Sequence, residues 1–203
     1  MHNIRAAEDR DIKSIVAIHR KMFPGFLMTL MGPRFLAGYY QAILDSRVGL
    51  LFVAQDKTGE VAGFVSGFTS PAEFYGFFRK RKLRLAVISL GYIVLRPALW
   101  PRILENFATV NRVADAEEDI ANHTAELSSI AVESNIEGKG CGKMLVERFV
   151  AECSQAGISS VVLTTDAENN DQVNRFYQKI GFSKIATFER SQGRLMNAYR
   201  MLI

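Results

Sequence analysis

The chain reads as a mixed α/β (α+β) domain: a mostly antiparallel twisted sheet flanked by helices, with one helical insertion. Three observations predict it. Short strands rich in β-branched and aromatic residues alternate with amphipathic helices, in the order β-α-α-β-β-(insertion)-β-α-β-α-β-β. Two pairs of strands are joined by short polar turns and therefore run antiparallel. One strand passes through a glycine-rich loop straight into a helix, which places helices on the sheet faces. The length of 203 residues suits a single domain, 1–203, with the insertion at about 70–123.

The elements follow in order. Residues 3 to 7 (NIRAA) form a short strand. Acids at Glu8, Asp9 and Asp11 then open a helix whose dipole favours them. Its apolar stripe is Ile12, Ile15, Val16 and Ile18, and Pro24-Gly25 ends it. His19 is expected on the surface of this helix. A second helix covers 33–45 and buries Phe35, Leu36, Tyr39, Ile43 and Leu44. The strands 49–55 and 61–68 flank the turn Asp56-Lys57-Thr58-Gly59-Glu60. After the insertion come a strand from Leu127 to Val132, the glycine loop, and a helix from about Lys143 capped by Gly157. A strand at 160–165, a helix at 171–180 and a final antiparallel pair, 182–190 and 195–202, complete the chain. The final strands could pair across a homodimer.

The composition is that of an ordinary globular protein, 48% hydrophobic and 23% charged. A net charge of +4 is too mild to argue for nucleic acid. Cys141 and Cys153 have no metal-ligand spacing and make no disulfide framework, so a reduced, cytoplasmic protein without a metal is expected. The N-terminal MHNIRAAEDRD has no apolar signal core.

The insertion departs from this pattern. Phe74, Tyr75, Phe77 and Phe78 precede the basic run Arg79-Lys80-Arg81-Lys82, and an apolar run from Leu85 to Leu95 follows. That run is about half of the roughly 20 residues a membrane span needs. Helices over about 71–95 and 98–111, then an acidic loop at 115–119, are expected. The segment could be a helical lid packed on the core. Its basic residues interleaved with aromatics, 74–102, could instead make a weak contact with a membrane surface.

The informative stretch is ELSSIAVESNIEGKGCGKMLVERF, residues 126–149. Gly138, Gly140 and Gly142 alternate with Lys139 and Cys141 between a strand and a helix N-terminus. Glycine allows close backbone approach and positive φ. The first helical N–H groups lack intrahelical partners and carry the positive end of the dipole, so a phosphate fits there. A Walker loop would need glycine at Glu137 and a hydroxyl at Met144, and both fail. A dinucleotide loop needs G-x-G-x-x-G on the first strand of a βαβ unit, which this late G-x-G-x-G is not.

The segment resembles motif A of the GCN5-related N-acetyltransferase (GNAT) superfamily, [Q/R]-x-x-G-x-[G/A], with Gly140 and Gly142 at the small positions and Glu137 in place of Gln or Arg. Asn170 to Phe182, NDQVNRFYQKIGF, is similar to motif B of that family, with Asn170, Phe176, Tyr177, Lys179, Gly181 and Phe182 matching and Val173 replacing Ala. The opening IRAAEDRDIKSI also looks like the family's first strand and helix. The resemblance covers about 3–69 and 124–203.

It implies an acetyl-CoA-dependent N-acetyltransferase acting on a primary amine of a small molecule, with an amino sugar among the candidates. The acetyl-CoA would lie where the strand ending near Val132 splays from the strand at 161–165. Backbone groups of Ile130, Ala131 and Val132 would hold the pantetheine. Residues 137–143 (Glu137, Gly138, Lys139, Gly140, Cys141, Gly142 and Lys143) would hold the pyrophosphate, with Lys139 and Lys143 offsetting the acid. Asn170 would contact the cofactor or cap the helix after it, and Phe176 would line the site.

Two residues carry the chemistry. By residue type alone Tyr177 is an aromatic core residue beside Phe176; within the motif it becomes the general acid. A phenol of pKa about 10 is protonated at neutral pH, when a thiolate of pKa about 8.5 must be protonated as it leaves. Glu126 becomes the base, as in histone acetyltransferases of the superfamily. Otherwise it is a surface acid or a water-relay element. His123 is an alternative base. A different class of function, a CoA-binding regulatory module without transfer activity, is also compatible with Glu137.

Overall fold

The computed structural model describes residues 3–80, 123–133, 138, 140–190 and 193–203. Seven strands form one sheet in the order β1-β2-β3-β4-β5-β7-β6. They are β1 Asn3–Ala6, β2 Gly49–Gln55, β3 Val61–Phe68, β4 Thr124–Val132, β5 Ser160–Asp166, β6 Ser183–Arg190 and β7 Arg194–Leu202. Among these strands β4 and β5 pair parallel and every other neighbouring pair is antiparallel. The helices are α1 Ile12–Met22, α2 Leu27–Leu30, α3 Pro33–Asp45, α4 over 71–80, α5 Cys141–Gln155 and α6 Asp171–Lys179.

The sheet divides two apolar cores. On one face α1, α3 and α4 cover Leu51, Val53, Phe64 and Phe68. On the other, α5 and α6 cover Phe52, Ala54, Val65, Ala125 and Leu127. Strand β2 shows the reason: successive side chains point to opposite faces, so its apolar run from Leu50 to Ala54 feeds both cores.

In α1 the buried stripe is Ile12, Ile15, Val16 and His19, the i, i+3, i+4, i+7 series, joined by Ile18. His19 was expected on the surface; its position in that series places it inside, 3% exposed. α1 ends before Pro24, and Gly25 takes φ 81°. The single turn α2 was not expected. α3 starts on Pro33 after Gly32 at φ 96°, a proline at the first helical position where no N–H is required. It buries Tyr40 and Ala42 as well as the expected residues, while Leu44 is half-buried.

α5 begins at Cys141, two residues before the expected start. Gly140 takes the left-handed φ of 79°, and its carbonyl already accepts the Met144 N–H at 3.1 Å.

The start of the insertion packs inward. Phe74 and Phe78 are buried, and the Phe74 ring stacks on Phe68 with centroids 4.0 Å apart. Those two rings belong to the core, at about 2–3 kcal/mol of apolar burial each, and not to a membrane-facing surface. Arg79 and Lys80 are exposed. The helices expected over 81–95 and 98–111, the acidic loop at 115–119, Glu137 and Lys139 lie outside the described residues. Among the described residues no helix is long and apolar enough to cross a membrane. β6 is an edge strand exposed along its whole length.

One irregularity shapes the site. Ser66 of β3 opposes Ser129, but Gly67 opposes Leu127, so Ser128 is an extra residue in β4. This bulge reverses which face the alternation serves. Before it, Ala125 and Leu127 point into the α5 core; after it, Ala131 points into the α1 and α3 core.

Candidate active site

β4 and β5 pair for only three residues, Thr124–Glu126 against Ser160–Val162. Beyond that, β4 stays with β3 as far as Val132 and β5 stays with β7 as far as Asp166. The two inner edges separate and open a cleft of about 1110 Å³. The Glu133 N–H donates to the Ala62 carbonyl at 2.8 Å, and the Ser66 hydroxyl donates to the Ser129 carbonyl at 3.4 Å. Residues 129, 131 and 133 therefore turn their backbone groups toward β3. Strand alternation leaves those of Ile130 and Val132 toward the cleft. Of the three residues expected to offer backbone groups here, Ala131 is the one turned away.

The glycine loop closes one end. Gly138 and Gly140 have φ of 76° and 79°, where a side chain would be strained. At Gly142 an added Cβ would touch the Phe176 ring at 3.5 Å. Gly138, Gly140 and Gly142 line the cleft, and the N-terminus of the 15-residue α5 opens onto it. Lys143 also lines the cleft, and its ammonium pairs with Glu147 at 3.6 Å on an exposed surface. Cys141 is buried, and burial pushes its thiol up, so it packs as a neutral group.

Tyr177 lines the same cleft while its ring packs against Phe176, Phe182 and Tyr199. Among the described residues its hydroxyl has no hydrogen-bond partner. Burial raises the phenol well above its ordinary value, so it holds its proton at neutral pH. The Asn170 amide donates to Thr165 Oγ1 at 2.8 Å and to the Asp166 carbonyl at 3.2 Å. It ties α6 to the end of β5, and its side chain does not cap the helix. Asn174, which sequence reasoning missed, does more: its amide donates to the carbonyls of Asp166 and Asn170. Its Oδ1 accepts from Asn197 and from the Tyr199 hydroxyl. Its spacing four residues after Asn170 was the available signal.

The other end is built on the opposite face. Glu126 is half-buried at the floor, and the Tyr75 hydroxyl donates to its Oε1 at 3.1 Å. Burial raises the carboxyl above the usual carboxylate range, and the Tyr75 bond and the positive Arg190 partly oppose this. Tyr39 shares a 2.7 Å hydrogen bond with Ser128, the bulged residue. An added Cβ on Gly67 would lie 2.0 Å from the Glu126 carbonyl and 2.7 Å from the Phe149 ring, so only glycine lets Glu126 sit where it does. His123 is exposed and is not among the residues lining the cleft; its carbonyl accepts the N–H groups of Ser159 and Ser160. At the rim, Arg194 pairs with Asp166 at 2.5 and 2.7 Å and lies 4.6 Å over the Phe26 ring, joining the two ends. Tyr75, Tyr39, Ser128 and Arg194 were not singled out from sequence, because each acts through a partner distant in the chain.

The family model described as "Acetyltransferase (GNAT) family" matches residues 12–182. The chain belongs to the GNAT acetyltransferase family. Solved structures agree on the fold. A ribosomal-protein-alanine N-acetyltransferase from Brucella melitensis is 15% identical with a TM-score of 0.65, covering 99% of both chains. An N-acetyltransferase from Staphylococcus aureus Mu50 is 16% identical with a TM-score of 0.65, covering 100% of this chain and 98% of its own. A Salmonella typhimurium protein described as an acetyltransferase, solved with its cofactor acetyl-CoA, is 16% identical with a TM-score of 0.63, covering 100% and 94%. No curated protein matches the chain. As a GNAT protein it is an acetyltransferase, and acetyl-CoA is the donor the family uses.

Proposed function

We propose that this GNAT enzyme transfers acetyl from acetyl-CoA to a primary amine of a small molecule, with Glu126 as base and Tyr177 as acid. The observation that carries the reading is that one cleft is lined both by the glycine loop with Tyr177 and by Glu126. The donor set fits acetyl-CoA. The open edge of Ile130 and Val132 suits an amide-bearing arm, and positive-φ glycines at a helix N-terminus suit a pyrophosphate.

Bound there, acetyl-CoA supplies an activated acyl thioester. The chain's own residues manage protons and position. Glu126 accepts the proton that an ammonium must lose, and its raised pKa makes it a better base than a solvated carboxylate. Tyr177 holds a proton on a hydroxyl with no other described partner, ready for a departing thiolate. The Ile130 and Val132 backbone groups orient the arm along β4.

Titration calorimetry with acetyl-CoA, followed by thiol release with a panel of amines, tests this. Binding with amine-dependent release is expected. Binding without release from any amine would mean a CoA-holding module and overturn the reading.

A further inference from the structure

Resting on that reading, we infer that the acceptor is a small primary amine carried on an apolar, aromatic or alkyl body, rather than a polyhydroxylated amine such as an amino sugar. The acceptor half of the cleft is walled by the end of α1, by α2 and by the start of α3. Met22, Phe23, Phe26, Leu27, Met28 and Met31 line it. Phe35 and Phe78 continue the wall. Methionines and aromatics are adaptable, apolar lining, suited to a hydrocarbon body of variable shape.

In this half the hydroxyls of Tyr39 and Tyr75 and one ring nitrogen of His19 are already engaged. Tyr39 is bonded to Ser128, Tyr75 to Glu126, and His19 Nδ1 to the Tyr40 hydroxyl at 2.6 Å. His19 Nε2 has no partner among the described residues but is covered by protein. Among the described residues here, the Glu126 carboxylate accepts from the Tyr75 hydroxyl and has no ion pair, although the charge of Arg190 reaches it. A sugar would bury several hydroxyls against this wall without partners, each costing free energy. An ammonium on an apolar body meets one carboxylate, flanked by the Tyr39 and Tyr75 rings, and buries its hydrocarbon. Arg190, whose charge reaches Glu126, and Arg194, over the Phe26 ring and paired with Asp166, also line the cleft.

The test is initial-rate kinetics at saturating acetyl-CoA with n-propylamine through n-hexylamine, 2-phenylethylamine and glucosamine. The alkyl series holds amine basicity nearly constant while length varies. We expect kcat/KM to rise about fourfold per methylene until the cavity is filled. We also expect 2-phenylethylamine to exceed glucosamine by about 100-fold or more. Phe26→Ala, at a side chain 36% exposed and tolerant of truncation, should flatten the alkyl series and leave the KM for acetyl-CoA unchanged. A flat or falling series, or glucosamine as the better acceptor, overturns the inference and leaves the amine-acetyltransferase reading standing. Acetyl-CoA binding with no acceptor among all these amines overturns both.

Discussion

The two ends of the cleft are built by different means. At the glycine end the proposed binding groups are mostly backbone: three glycines, a helix N-terminus and the edge of β4 beyond its pairing with β5, with Tyr177 as the side chain given a chemical role. At the proposed acceptor end the candidate groups are side chains. Glu126, Tyr75, Tyr39 and Ser128 form a partly buried polar group set in a methionine and aromatic wall. A site built from backbone is written locally in the sequence, as spacing. A site built from side-chain contacts joins residues far apart in the chain, since Tyr75 reaches Glu126 across 51 positions.

Four measurements would break or sharpen that contrast. The largest effect should come from Glu126→Gln: kcat/KM for amines falls about 1000-fold, as expected for loss of a general base, and acetyl-CoA affinity, read by calorimetry, stays unchanged. If acetyl-CoA affinity falls as well, the two ends are not separate.

Next is the stability of the acceptor side. Burial depresses His19 from 6.5 to about 4. A group depressed in the folded state contributes stability that is present above its unfolded value and lost as pH falls through the folded one. Unfolding free energy should therefore drop by about 3 kcal/mol between pH 6.5 and 4. Denaturant unfolding at both pH values measures it, and His19→Gln should remove the drop. Asp11, held low chiefly by its bond to Arg5, acts only in more acid solution.

Tyr177→Phe should lower kcat about 100-fold while the ring contacts, and so the melting temperature, persist. Unchanged transfer at neutral pH would remove the tyrosine from the mechanism. Tyr75→Phe should give the smallest effect, about tenfold at neutral pH. The Tyr75 bond favours the ionised form of Glu126, so its loss raises that carboxyl further. The acid limb of the kcat/KM profile then moves to higher pH. A limb that stays in place would show that Tyr75 serves packing alone.

Much of the glycine end was legible beforehand. The strand and the glycines at Gly140 and Gly142 were read from spacing, because helix and strand periods translate directly into position, and Tyr177 was singled out only through the family motif it resembles. The Cys141 helix start was missed by two residues because the capping depends on the φ of Gly140, which sequence does not display. His19 was expected on the surface of its helix, although its spacing from Ile12 puts it on the buried stripe. Phe74 had two open readings, a lid packed on the core and a membrane-surface contact, and its ring follows the first. An aromatic beside a basic run looks like an interface until Phe68 is found stacked against it.

By itself the sequence determined the order of elements, the glycine loop and the motif pair, all of which depend on contacts within a few residues. Only the tertiary structure decided what β4 does with its side chains. The letters TAELSSIAV alternate without showing a break, yet the extra residue Ser128 sends Ala131 to the opposite core from Leu127. A bulge is a property of two paired strands, set by Gly67 and Tyr39 as much as by β4, and so it cannot be read from either strand alone. That pairing sets Ser128 against Tyr39 and Glu126 against Tyr75.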